Sequence, residues 1–81
     1  MFRCFAPEAK RVTLIGDFNG WDPNAHPLHR QPDGGWLLEL PMHHGHHRYM
    51  FWVDGNGMLD PNANGVGRTE NNERVSLVSV S

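Results

Sequence analysis

The sequence predicts an all-β sandwich of about seven strands. Two observations carry that prediction. Short apolar stretches recur at intervals of about ten residues, separated by clusters of Gly, Pro, Asn and Asp. Within the longer stretches the apolar residues alternate with a period of two, and no segment reads as a helix. The length of 81 residues suits one compact domain spanning 1–81. A chain of that size buries only about 60% of its unfolded surface, so its stability is expected to be modest.

Strands are expected over residues 2–5, 11–16, 36–42, 48–53 and 74–80, with shorter pieces around Leu28 and around Met58 and Leu59. In the stretch 36–42, Trp36, Leu38, Leu40 and Met42 share one face and Leu37, Glu39 and Pro41 the other, which makes the first set the core face. In 48–53 the same period groups Tyr49, Phe51 and Val53 inward and sends Arg48, Met50 and Trp52 outward. Asp54-Gly55-Asn56-Gly57 tolerates positive φ and predicts a tight reversal into Met58 and Leu59. Residues 62–72, rich in Gly and Asn, are expected to form a long surface loop. The predicted core is Leu14, Trp36, Leu38, Leu40, Tyr49, Phe51, Val53 and Leu77.

Charge and composition exclude several functions. The formal net charge is −2, and the seven basic residues are scattered without a block, so the basic stripe of a nucleic-acid binder is missing. No run approaches the roughly 18 to 20 apolar residues of a membrane helix. The single Cys4 cannot form an internal disulfide, and the first residues lack the apolar run of a secretion signal, which together predict a cytoplasmic location. His43-His44-Gly45-His46-His47 invites a metal reading. Consecutive histidines on a turn point in different directions, however, and neither Cys nor carboxylate interrupts them, so no metal and no cofactor is expected. Asp17, Asp22, Asp54 and Asp60 all sit in turn motifs, where a carboxylate accepts backbone N–H bonds. A glycosidase instead needs two carboxyls about 5 to 9.5 Å apart across a cleft, so the chain is not expected to be an enzyme.

The run Val12-Thr13-Leu14-Ile15-Gly16-Asp17-Phe18-Asn19-Gly20-Trp21-Asp22-Pro23 resembles the signature of carbohydrate-binding module family 48, in which a strand enters a G-x-F-N-x-W turn. Asp33-Gly34-Gly35-Trp36, Leu40-Pro41, Tyr49-Met50-Phe51-Trp52-Val53-Asp54-Gly55, Asp60-Pro61-Asn62-Ala63 and Asn71-Asn72 are similar to later motifs of that family and occur in its order. The resemblance covers nearly the whole chain. It implies an immunoglobulin-like early-set sandwich that binds glycogen or starch through α-1,4-linked glucose chains and performs no catalysis. The partners it implies are an α-glucan polysaccharide and, beyond that, a glycogen-metabolising enzyme or a kinase complex. A second reading from a different class is an early-set domain that packs on a neighbouring protein. The chain could also be a piece of a larger amylase-type enzyme.

By that resemblance the binding residues are two tryptophans, a cation on the Tyr-x-Phe strand and an Asn before the last strand. Trp21 and Asn71 fill two of these places, Met50 stands at the cation position, and Gly57 stands where the second Trp is usual. Trp52, two residues from Met50 on the same face, offers a replacement, because their Cα atoms are about 6 to 7 Å apart. The expected carbohydrate site is therefore Trp21, Trp52, Met50 and Asn71. An indole suits a sugar because the ring's apolar C–H face can lie on it while the hydroxyls stay wet.

Overall fold

The structure, a computed structural model, describes residues 1–80; Ser81, the last residue of the expected 1–81 domain, lies outside the described residues. Eight strands form: β1 (Phe2–Phe5), β2 (Val12–Gly16), β3 (His29–Arg30), β4 (Gly35–Leu38), β5 (Gly45–Val53), β6 (Asn56–Met58), β7 (Gly65–Arg68) and β8 (Arg74–Val80). They make two antiparallel sheets, β1-β4-β3 and β2-β5-β8-β7, with β6 also paired to β5. The result is the predicted all-β sandwich, and no helix occurs among the described residues. None of these elements is therefore a helix long and apolar enough to cross a membrane.

β5 organises the larger sheet. Its residues Tyr49 to Val53 pair with β2, while on the other edge Gly45 to Tyr49 pair with β8 and Phe51 to Val53 pair with β6. The β5–β6 connection is a two-residue turn, with φ of 48° at Asp54 and 85° at Gly55, as a type I′ hairpin requires. The Asp54 carboxylate accepts the Lys10 and Arg11 N–H groups at 2.8 to 3.2 Å, which ties this turn to the start of β2.

Between the sheets lie Phe2, Cys4, Val12, Leu14, Leu28, Trp36, Tyr49 and Phe51, with Leu38, Leu40, Met42 and Val53 half-buried against them. Phe2, Tyr49 and Phe51 meet edge to face at centroid distances of 5.1 and 6.0 Å. The Trp36 indole N–H is satisfied by the Ala6 carbonyl at 3.0 Å, so the ring is buried without an orphan donor. Tyr49 carries the one buried phenol, whose O–H donates to Asp60 Oδ2 at 2.5 Å, while the Asp60 N–H donates to the Ser76 hydroxyl at 2.8 Å. Burial, and then that bond to Asp60, holds the Tyr49 phenol well above its ordinary range. Burial likewise pushes the free Cys4 thiol up, which keeps it protonated and inert.

Four sequence expectations need correction. β4 stops at Leu38 rather than Met42, because its partner β1 runs out at Phe2 and Pro41 has no N–H to donate to a ladder. β5 begins earlier, at Gly45, so His46 and His47 lie on a strand paired to Ser79 and Val78 instead of in a turn. The segment 62–72 is not one loop, since β7 pairs along β8 from Gly65 to Arg68. Its glycines are there for contact: a Cβ on Gly67 would meet Leu77 Cδ2 at 2.8 Å. That contact also explains Leu77, which is not in the core. Ser76 stands opposite core-facing Tyr49, so Leu77, opposite Arg48, faces outward over Gly65 and Gly67.

Candidate functional site

The turn that follows β2 sets the first aromatic. Asn19 closes it by accepting the Gly16 N–H at 3.0 Å and donating to the Leu14 carbonyl at 2.9 Å. With the amide oriented by those two backbone partners, its Nδ2 also meets His26 Nδ1 at 2.9 Å, which makes that imidazole nitrogen the acceptor. Phe18 turns inward to stack on Phe2 at 6.4 Å. The chain then passes through φ of 66° at Gly20 and 59° at Trp21, with the Trp21 N–H bonded to the Gly16 carbonyl at 2.9 Å. A bulky residue in this left-handed region costs of order 1–3 kcal/mol, and such strain persists where the surroundings over-determine it. Its consequence is directional: Phe18 enters the core and Trp21 stays half-exposed on the outer side of the larger sheet.

The outer face of that sheet is apolar at its centre. Register places Ile15 beside Met50, Thr13 beside Trp52, Trp52 beside Gly57, and Gly67 beside Val75. Gly57 is an open place that its neighbours fill: a Cβ there would lie 2.9 Å from Met50 Cε and 3.7 Å from Trp52 Cζ3. The Trp52 ring and the Met50 thioether thus cover the backbone of β6, as an aromatic opposite a strand glycine commonly does. The missing side chain at 57 is what admits the Met50 methyl, since a Cβ there would stand only 2.9 Å from it, whereas the Trp52 ring lies at ordinary contact distance.

Asn71 arrives from the β7–β8 connection. That hairpin is closed by Thr69 N–H to the Glu73 carbonyl (2.9 Å), Asn72 N–H to the Thr69 carbonyl (2.9 Å) and Glu73 N–H to the Thr69 hydroxyl (3.2 Å), with Asn72 at φ 66°. Asn71 is exposed at its tip. Trp21, Met50, Trp52 and Asn71 all line one groove of about 810 Å³ on this face, with Ile15 and Val75 in its floor. Sequence reasoning missed the polar rim of Asp17, Arg48, Thr69, Glu70 and Glu73. Arg48 had a legible signal, since it shares the outward face of Met50 two residues earlier and restores a cation to the groove. Asp17 is held there by the Arg48 N–H at 3.2 Å and stands 3.7 Å from the His47 imidazole.

The four carboxylates singled out in the sequence are each engaged by backbone. Asp17 accepts from Arg48, Asp22 from Asn24, Asp54 from Lys10 and Arg11, and Asp60 from Asn62. Among the histidines, His46 bonds the Ser79 hydroxyl at 2.7 Å and His47 bonds the His43 carbonyl at 2.9 Å, so their rings are directed to different partners.

Known proteins resemble this chain in sequence. Residues 1–78 match the family described as carbohydrate-binding module 48, the isoamylase N-terminal domain. A 1,4-alpha-glucan branching enzyme of Xanthomonas campestris pv. campestris is 42% identical over 61 residues, which is 72% of this chain and 8% of that protein. The branching enzyme of Pseudomonas aeruginosa is 41% identical over 74% of this chain and 8% of its own length. That of Cupriavidus pinatubonensis is 54% identical over 41 residues, covering 49% of this chain and 6% of the enzyme. The chain thus spans less than a tenth of these relatives.

Proposed function

This chain belongs to the carbohydrate-binding module 48 family, and we propose that it is a non-catalytic α-glucan binder whose site is the groove of Trp21, Met50, Trp52 and Asn71. One observation supports this reading above the others: residues far apart in sequence, two of them tryptophans, line a single open groove on the outer sheet face. Stacking on indoles fits glucose, which presents apolar C–H faces and peripheral hydroxyls. Met50 fills the floor between the rings, and Asn71 and Arg48 supply hydrogen bonds to hydroxyls. The relatives are named for 1,4-alpha-glucan, and that polymer is the ligand class we assign here.

The groove is shallow, so a single short oligosaccharide binds weakly, roughly in the micromolar to millimolar range. Where two modules act together, glycogen retains them more strongly, since the polymer presents many sites at high local concentration. Native electrophoresis in gels with and without glycogen tests the reading. Migration is expected to be retarded by glycogen and almost unchanged between low and moderate salt, because the ligand is neutral. Unretarded migration would favour the second reading, a domain that packs on a glycogen-metabolising enzyme. Exposed Met1 (73%) and Phe5 (70%), apolar groups remote from the groove lining, are what that reading would use.

A further inference from the structure

Trp52 lines a second cleft as well as the groove described above. This cleft holds about 260 Å³ and is bounded by Arg11, Pro23, Asn24, Trp52, Asp54 and Gly55. The register explains why the two spaces adjoin. Thr13 stands beside Trp52, so Arg11, two residues earlier on the same strand line, falls beyond the indole toward the β5–β6 turn. From Ile15 in the first groove to Arg11 in the second cleft the chain advances four residues, about 13 Å at the usual strand rise. The Trp52 ring is the wall the two share.

The cleft is chemically suited to a sugar. Pro23 contributes an apolar ring face. Arg11 is exposed but not loose, because its Nη2 donates to Asn24 Oδ1 at 3.0 Å. Asn24 is in turn fixed by its own N–H, which donates to Asp22 Oδ1 at 2.9 Å. The Asp54 carboxylate is occupied by the Lys10 and Arg11 backbone N–H groups. What remains free is a set of donors: the other guanidinium N–H groups of Arg11 and the Asn24 amide N–H₂, both pre-oriented and both beside an indole. A planar donor pair of that kind matches the ring and hydroxyl oxygens of a pyranose.

We propose that this cleft is a second glucose subsite, so that an α-glucan chain crosses Trp52 and engages Arg11 and Asn24 on its far side. The proposal rests on the glucan reading of the first groove and adds length selectivity to it. Short chains fill the groove of Trp21 and Met50, and only longer ones reach Arg11. Trp52 then serves two sugar units, one on each side.

Titration of the 81-residue chain and of Arg11→Ala and Asn24→Ala with maltotriose and with maltoheptaose tests this. Both substitutions remove exposed side-chain atoms and leave the Arg11 N–H bond to Asp54 in place, and retention of the β spectrum in circular dichroism verifies the fold. Each is expected to weaken maltoheptaose binding roughly three- to tenfold, the worth of one or two hydrogen bonds. Maltotriose binding stays within experimental error of the unsubstituted chain. Equal weakening of both sugars, or no change in either, overturns the subsite while leaving the first groove intact. If the unsubstituted chain binds neither sugar, the glucan reading falls and the subsite with it.

Discussion

Replacing Phe51 by Ala is expected to remove about 3–5 kcal/mol of folding stability, the range seen when a buried aromatic is truncated. Phe51 is 1% exposed, pairs with Leu14 across β2 and Met58 across β6, and meets Tyr49 edge to face at 6.0 Å. It therefore sits between the two neighbouring strands in the core cluster, and its loss leaves a cavity that those neighbours can fill only in part. Small domains hold only about 5–15 kcal/mol in total, so the variant should sit near the edge of its stability. Urea unfolding measures the effect as a fall in midpoint with little change in slope. A loss below about 1 kcal/mol would mean that the faces of β5 are inverted, which would put Met50 and Trp52 inside.

The second large effect is on binding. Trp52→Ala and Trp21→Ala are each expected to weaken glycogen or maltoheptaose binding roughly tenfold or more, as truncation of a central aromatic anchor does. The two differ in their side effects. Trp21 stands outside the core cluster on a strained turn, so its removal should leave stability nearly unchanged. Trp52 covers Gly57, and its removal uncovers backbone on β6, so a modest loss of stability should accompany the loss of binding. Isothermal titration of each variant, with folding verified by circular dichroism, separates the two contributions. If only Trp21→Ala weakens binding, Trp52 is a structural cover and the two-indole platform is wrong.

Much of this arrangement was legible in the sequence because two local rules were sufficient. Alternation in β5 separated Tyr49 and Phe51 from Met50 and Trp52, and the separation is what the sheet shows. The Gly-x-Phe-Asn-x-Trp turn marks Trp21 as a site residue, and what holds it half-exposed is visible in the Asn19 bonds and the positive φ values. What was not legible depends on partners rather than on local pattern. Gly65 and Gly67 read as loop residues because their reason for being in a strand is the Leu77 side chain lying across them. Leu77 itself is expected in the core from the sequence. Its face is set by the register of Ser76 against Tyr49, and Ser76 holds the core place because Asp60 satisfies its hydroxyl. The extent of β4 depended likewise on where β1 ends. The contribution of Arg48 to the groove needed the whole outward face, not the family position alone.

The central claim is that a glucan lies on Trp21 and Trp52 together. The chain has three tryptophans, so it gives three indole N–H resonances, and they report on different places. Trp36 is an internal control, being 6% exposed with its N–H bonded to the Ala6 carbonyl. Titration of the isotopically labelled protein with maltoheptaose, followed by nuclear magnetic resonance with each signal assigned by Trp→Phe substitution, is the direct test. The Trp21 and Trp52 signals are predicted to move together with one saturation curve while Trp36 stays fixed; movement of Trp21 alone, or of neither, would contradict the shared platform.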